Sequence, residues 1–111
     1  MTLSKDLIAA TAEPLVLSIL SRKESYGYAL IKDVFALSAN KVQWTEGMLY
    51  PVLHRLEEQG FIKSVWKESD TGRRRKYYQI EYKGRTRLTE QLDQWDLAHK
   101  MILGGRDGAH A

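Results

Sequence analysis

The chain has 111 residues, of which 43% are hydrophobic and 28% are charged, and it contains no cysteine. This length suits one domain with its own core. The absence of cysteine excludes disulfides, thiolate metal sites and cysteine nucleophiles. The longest apolar stretch, Leu15 to Leu20, is too short to span a bilayer. We therefore expect no membrane association and a cytoplasmic location.

The net charge of +3 is unevenly distributed along the chain. Residues 63–87 contain nine lysines and arginines against three acidic residues, whereas the segments on either side are slightly negative. A local positive excess of this kind would attract a polyanion. A solvated basic surface is the alternative, and composition alone does not decide between the two.

A largely buried first helix is predicted over residues 7–22. Pro14 conflicts with it, because a proline inside a helix loses a hydrogen bond and clashes with the preceding turn. Either the helix begins near Thr11, or a longer helix is interrupted. A kink or break near Glu13 is the favoured interpretation.

Two further helices are predicted at residues 26–38, with Ser25 as the N-cap, and at residues 46–59, with Thr45 as the N-cap. At 100° per residue, the leucines and valine of the third helix cluster on one side. The opposite side then presents a small, mostly polar face made of Gly47, Tyr50, Pro51 and His54, with Arg55 beside it.

Residues 61–68 and 75–82 alternate in hydrophobicity, and the connection between them is rich in Asp and Gly, which predicts a β-hairpin. The tip of this hairpin is strongly basic, with Arg73, Arg74, Arg75 and Lys76 in succession.

A long last helix is predicted over residues 83–103, followed by Gly104-Gly105 and a disordered tail over residues 105–111. Its apolar seam has coiled-coil spacing and consists of Leu88, Leu92, Trp95, His99 and Ile102. We expect residues 1–82 to form one domain and residues 83–104 to form a dimerisation helix.

The order of elements indicates a helix-turn-helix followed by a wing, so the expected fold is mainly α with a small β-hairpin. In such a fold the third helix enters the major groove of DNA, where Gly47 allows close approach and Tyr50 and His54 supply contacts. The basic tip would bind phosphates or the minor groove. The helix N-terminus at Thr45 would add backbone N–H groups for a phosphate.

The runs Tyr26-Gly27-Tyr28, Glu46 to Glu57, Gly60-Phe61-Ile62 and Gly72 to Tyr78 resemble the PadR family of bacterial transcriptional regulators. The resemblance covers roughly residues 6–103 and is closest to the compact subfamily with one C-terminal helix. It implies a homodimeric transcriptional repressor that binds double-stranded DNA and dimerises through its first and last helices. Tyr28, Lys32, Pro51 and Arg55 join the expected DNA contacts, although Arg55 could instead pair with Glu58 or Glu24.

Some drug-responsive members of this family stack planar aromatic ligands between paired tryptophans, and Trp95 approximately matches that position. Trp95, Asp96 and His99 are therefore candidate effector-binding residues, while dimer core is the simpler role for Trp95.

Histidines 54, 99 and 110 lack the spacing of a metal site, so neither a metal nor a cofactor is expected. No feature indicates an enzyme. A winged helix that binds only proteins is the alternative, but it would be expected to lack the basic wing.

Overall fold

The structure is a computed structural model that describes residues 2–108. Its elements are α1 (Lys5–Leu20), β1 (Ser25–Tyr26), α2 (Gly27–Leu37), α3 (Glu46–Glu58), β2 (Ile62–Glu68), β3 (Arg74–Ile80) and α4 (Tyr82–Asp107). The strands form one antiparallel sheet in the order β1-β3-β2. The predicted fold class, a mainly α winged helix-turn-helix with a small hairpin and a long last helix, is confirmed.

One hydrophobic core joins all four helices to the sheet. The 3–4 spacing of apolar residues in α1, α2 and α3 places one stripe of each helix against this core. The largest fully buried side chains are Tyr78, Leu17, Leu20, Leu30, Leu49, Leu53, Leu56, Ile62, Val16 and Val34. Because α3 and β3 both contribute to this list, the core holds the third helix and the hairpin side by side.

Pro14 does not interrupt the first helix. α1 runs without a break from Lys5 to Leu20, so a break near Glu13 and a helix start near Thr11 are both wrong, whereas a kink there stays a prediction. The proline removes the donor that would bond the carbonyl of Ala10. Ala10 is exposed, so water can satisfy that carbonyl and the helix continues.

The sequence predicts Ser25 as the N-cap of α2, and this prediction is wrong. It lies in β1, where it is 6% exposed and pairs opposite Tyr78 of β3. Tyr26 takes the N-cap position and makes no side-chain capping bond. The short strand β1 therefore fastens the start of α2 to the hairpin, through a long-range pairing that no local pattern reveals.

Thr45 is the N-cap of α3, as predicted, and its hydroxyl accepts a hydrogen bond from the Met48 N–H at 3.2 Å. Pro51 lies inside this helix and leaves the carbonyl of Gly47 without its helical donor. Gly47 is exposed, so the same explanation applies as for the proline of α1: solvent can bond the free carbonyl.

The last helix is longer than predicted at its C-terminal end. α4 continues through Gly104 and Gly105 to Asp107, so the expected stop at these glycines, and a tail disordered from residue 105, are wrong. A glycine costs about 0.5–1 kcal/mol relative to alanine inside a helix, which weakens a turn without ending it. The left-handed Gly108, with φ 67°, ends the helix. Residues 109–111, including His110, lie outside the described residues.

The start of α4 is set by a close approach of two backbones. A Cβ built on Gly84 would overlap the carbonyl oxygen of Phe61, so only glycine lets α4 come this near to the base of the hairpin. The Phe61 carbonyl also accepts a hydrogen bond from the Glu81 N–H just before α4. The Phe61 N–H donates to the Leu56 carbonyl in α3. Glu81 makes no side-chain cap on α4.

Within residues 2–108, no helix combines the length and the apolar character needed to cross a membrane.

Candidate nucleic-acid interface

A cleft of about 510 Å³ lies between the start of α2, the first half of α3 and the β2–β3 hairpin. Aromatic, basic and glycine residues dominate its lining, which consists of Tyr26, Gly27, Tyr28, Glu46, Tyr50, Trp66, Arg73, Arg74, Arg75, Lys76 and Tyr78. The predicted basic run and two of the predicted aromatic contacts therefore share one concave surface, although they lie far apart in the sequence.

The outer face of α3 is open, as its predicted role requires. Tyr50, Pro51, His54 and Arg55 are all exposed. A Cβ on Gly47 would meet only the Thr45 hydroxyl, at 3.9 Å, so nothing in the protein itself requires a glycine there. Arg55 has no ion pair with any described residue, and the alternative pairings with Glu58 and Glu24 are not formed.

Tyr50 is only partly free to contact a partner. It is 39% exposed, and its ring lies over Gly27, where an added Cβ would stand 2.7 Å from the Tyr50 hydroxyl oxygen. This contact joins α3 to the start of α2. Beneath it, burial raises the pKa of Tyr78 to about 12, with smaller contributions from the neighbouring Tyr50 and Glu57. Tyr50 therefore both packs the floor of the cleft and presents one edge outward.

Tyr28 and Lys32 lie one turn apart on the exposed side of α2. The Lys32 ammonium is 5.5 Å from the centre of the Tyr28 ring, which is within the range of a cation–π contact. Tyr28 lines the cleft, whereas Lys32 does not. The structure thus places only one of the two expected α2 contacts at the cleft itself.

The four residues of the basic run are not equivalent, because alternate residues of a strand face opposite sides of the sheet. Arg73 lies in the turn before β3, and Gly72 in that turn has φ 81°. Arg74 and Lys76 share the face of Tyr78, which looks into the cleft; the Lys76 ammonium is 5.6 Å from that ring. Arg75 belongs to the opposite face of the strand, although it also borders the cleft.

The five other basic residues of the segment 63–87 all contact other residues of the protein. Three of them form ion pairs, Lys63 with Glu81, Lys67 with Glu24 and Arg87 with Glu13. Lys83 donates to the Gln59 carbonyl at 2.9 Å, and Arg85 donates to the Ser21 carbonyl at 3.3 Å. By contrast, Arg73 to Lys76 form no ion pair with any of residues 2–108. The uncompensated charge is thereby concentrated on the hairpin.

Trp66 is a candidate functional residue that the sequence reasoning missed. It pairs opposite Lys76 in the hairpin and is 59% exposed. The Arg74 guanidinium carbon lies 5.9 Å from its ring centre. In the sequence, Trp66 is one of several hydrophobic residues that alternate along a strand. The pairing register with β3 shows that it faces the cleft.

Thr45 caps α3 as expected, whereas the phosphate contact expected at this helix N-terminus stays a prediction. Its hydroxyl is used for capping, and the first turn of α3 carries the acidic Glu46, which lines the cleft. A carboxylate there opposes a phosphate at the helix N-terminus. The electrostatic attraction of this surface therefore comes from the hairpin rather than from the start of α3.

The predicted seam of α4 divides into an internal and an exposed part. Leu88 is 8% exposed and belongs to the core of its own chain, so its expected role as a dimer contact does not fit the structure. Leu92, Trp95, His99 and Ile102 are exposed. Leu92 and Trp95 lie beside α1, and the exposed side of α4 continues beyond them to His99 and Ile102.

Trp95 lines a small cleft of about 210 Å³ between α1 and α4, together with Thr11, Pro14, Leu15, Ser18 and Leu92. Asp96 and His99 are not part of this lining. Asp96 forms an ion pair with Lys100 at 2.9 Å, one turn along the helix. The structure thus separates Trp95 from the other two candidate effector residues. Among residues 2–108, no group of three or more metal-ligating side chains is present.

Comparison with known proteins places this architecture among bacterial regulators. The chain matches the transcriptional regulator PadR-like family over residues 16–90. It is similar to a transcriptional regulator from Clostridium thermocellum, with 32% identity and a TM-score of 0.83 over 91% of this chain and 95% of that one. A PadR family transcription regulator from Clostridium difficile is also similar, with 32% identity and a TM-score of 0.73 over 83% and 94% of the two chains.

Sequence comparison agrees with the structural one. The transcriptional regulator Rv3488 of Mycobacterium tuberculosis is 37% identical over 70 residues, which are 63% of this chain and 64% of that protein. All of the cleft-lining residues except Trp66 lie in the runs that resemble the family. The chain therefore belongs to the PadR-like family of transcriptional regulators.

Proposed function

We propose that the protein is a homodimeric, sequence-specific repressor that binds double-stranded DNA in the cytoplasm. One observation carries this proposal: the exposed face of α3 and the uncompensated basic side chains of the hairpin border the same cleft. A winged helix that binds only proteins would need neither the charge nor its position next to this helix.

The exposed face of α3 fits the major groove. That groove admits one α-helix, and its base edges offer hydrogen-bond patterns that differ between base pairs. His54 and Arg55 can donate to such edges, and the bare backbone at Gly47 lets the helix approach closely. These residues therefore supply the sequence preference.

The hairpin supplies phosphate contacts that do not depend on the DNA sequence. Arg74 and Lys76 face the cleft, and Arg73 extends from the turn. Each phosphate that such a side chain neutralises releases counterions, so affinity falls as salt rises. Trp66 lies beside Arg74, with 5.9 Å between its ring centre and the guanidinium carbon, which is within the range of a cation–π contact.

Dimerisation would cover the exposed apolar side of α4. Leu92, Trp95 and Ile102 are 53%, 38% and 70% exposed, which is unfavourable for side chains of this size unless a partner covers them. A symmetric dimer joins the same face of two copies. Two winged domains would then bind half-sites about 34–36 Å apart, one turn of the duplex.

The cleft beside Trp95 supports the further proposal that a planar aromatic effector binds at the dimer axis. Pro14, Leu15 and Leu92 give this cleft an apolar lining. Stacking of an aromatic ligand on an indole adds about 0.5–1.5 kcal/mol to area burial. A ligand there would alter the spacing of the winged domains, so ligand and operator would weaken each other's binding.

The first prediction separates grip from sequence preference. The double variant Arg74→Ala/Lys76→Ala should bind every duplex more weakly, and its salt dependence should fall by about two units, one for each lost phosphate contact. His54→Ala should keep the salt dependence and lose preference for the DNA upstream of the protein's own operon over random DNA. Fluorescence anisotropy at several salt concentrations measures both.

Lys5→Ala is the matched control, because it removes an exposed positive charge on α1 that does not line the cleft. A double variant with unchanged salt dependence, or a control with the same loss, would contradict the assignment of the hairpin as the DNA grip.

The second prediction concerns the dimer. Leu92→Lys/Trp95→Lys should convert the protein to a monomer in light scattering at micromolar concentration, because two pairs of like charges would replace the apolar contact. Leu97→Lys is the control. Leu97 is 60% exposed but lies on the opposite side of α4, so this variant should stay dimeric. A monomeric wild type, or equal behaviour of both variants, would refute the proposed interface.

The third prediction tests the effector. Planar aromatic dyes should quench the tryptophan fluorescence of the wild type and of Trp66→Phe, but not that of Trp66→Phe/Trp95→Ala, since the remaining Trp44 is 2% exposed and inaccessible to a stacked ligand. Equal quenching of all three proteins would show that Trp95 is dimer core and no more.

A further inference from the structure

We propose that Arg75 and Lys67 do not contact DNA but position the hairpin, so that the basic run is divided between binding and support. This inference rests on the proposed DNA-binding function and deepens it, because it assigns different roles to adjacent arginines.

The guanidinium of Arg75 is already occupied. Its central carbon lies 4.4 Å from the centre of the Tyr26 ring, the shortest of the cation–ring distances on the hairpin. Tyr26 belongs to β1 and N-caps α2, and its ring meets that of Tyr77 edge-to-face at 5.4 Å and 75°. Arg75 borders the main cleft, but it also lines a second groove of about 430 Å³ on the other side of the hairpin. Its guanidinium therefore holds β3 against the start of α2.

Lys67 is engaged on the same side. It forms an ion pair with Glu24, and its ammonium lies 4.9 Å from the centre of the Tyr77 ring. Glu24 also accepts a hydrogen bond from the Gln79 amide at 2.8 Å. Hydrogen bonds from Lys67 and Gln79 hold the pKa of the Glu24 carboxyl below its ordinary value. One carboxylate before β1 thereby bonds both strands of the hairpin.

The pairing register explains why this support is needed. Lys67 stands directly opposite Arg75, and like charges in that arrangement destabilise a strand pair. The Glu24 carboxylate and the faces of two tyrosine rings compensate for this repulsion. On the opposite face, Glu68 stands directly opposite Arg74 but forms no ion pair with it. Arg74 and Lys76 lie near the rings of Trp66 and Tyr78 instead.

The consequence is that the two faces respond differently to mutation. Loss of a phosphate contact lowers affinity together with the salt dependence. Loss of a positioning contact lowers affinity because the hairpin is less well oriented, while the number of neutralised phosphates stays the same.

The experiment measures the salt dependence of binding to the DNA upstream of the protein's own operon for five single variants. Arg74→Ala and Lys76→Ala should each lower the slope by about one unit. Arg75→Ala should weaken binding severalfold with an unchanged slope. Tyr26→Leu should do the same, whereas Tyr26→Phe, which keeps the ring, should bind like the wild type.

A double-mutant cycle adds a second measure. If Arg75 acts through Tyr26, Arg75→Ala/Tyr26→Leu should bind no more weakly than either single variant, because both remove the same contact. Arg75→Met keeps the side-chain stem and guards against loss of folding; it should also leave the slope unchanged.

A slope for Arg75→Ala or Arg75→Met that falls as far as that of Arg74→Ala, or additive losses in the cycle, would overturn the proposal while leaving the DNA-binding function intact. A wild-type protein that binds no duplex at any salt concentration would overturn both.

Discussion

Burial of Tyr78 is the constraint on which the DNA-facing surface depends. Its side chain is 1% exposed and lies in the core with α1, α2 and α3. In a strand, a shift of one residue would turn every side chain to the other face. Fixing Tyr78 inward therefore also fixes Arg74 and Lys76 on the face of Tyr78 and Arg75 on the other face. The core thus determines which face of the hairpin each of these charges occupies, although none of them is in the core.

The same residue connects the recognition helix to the wing. Tyr78 pairs opposite Ser25 on one side and Ser64 on the other, and Ser64 donates a hydrogen bond of 2.6 Å to Glu57 near the end of α3. This bond joins the end of α3 to β2, and Tyr50 over Gly27 joins the first half of α3 to the start of α2. Because β1 leads into α2 and pairs with β3, both contacts fix the angle between α3 and the hairpin. A rigid angle suits a protein that must enter two grooves at once, since ordering on binding would cost affinity. The exposed part of α4 lies outside this rigid unit, which fits a separate role in dimerisation.

The sequence predicted the order of elements, the Thr45 cap and the exposed face of α3, because caps and helical periodicity are local signals. It could not predict β1, since Ser25 satisfies the rules for an N-cap and its pairing with Tyr78 is long-range. Composition located the positive segment, but only the strand register and the ion pairs show which of its residues are free. Leu88 fits a coiled-coil seam by spacing, yet it is buried in its own chain because α4 begins against α1. Gly104 and Gly105 indicate the end of a helix in the sequence, but the free-energy cost of a glycine inside a helix is too small to end the helix alone.

We propose that one surface, formed by α3 and the cleft face of the hairpin, binds DNA. An NMR titration of the amide signals with a duplex from upstream of the protein's own operon tests this proposal. The signals of Gly47, His54, Arg74 and Lys76 should shift, while those of Lys67 and of the α1 residues near Lys5 should stay in place. Shifts confined to the far side of the hairpin or to α4, with the α3 signals unmoved, would contradict it.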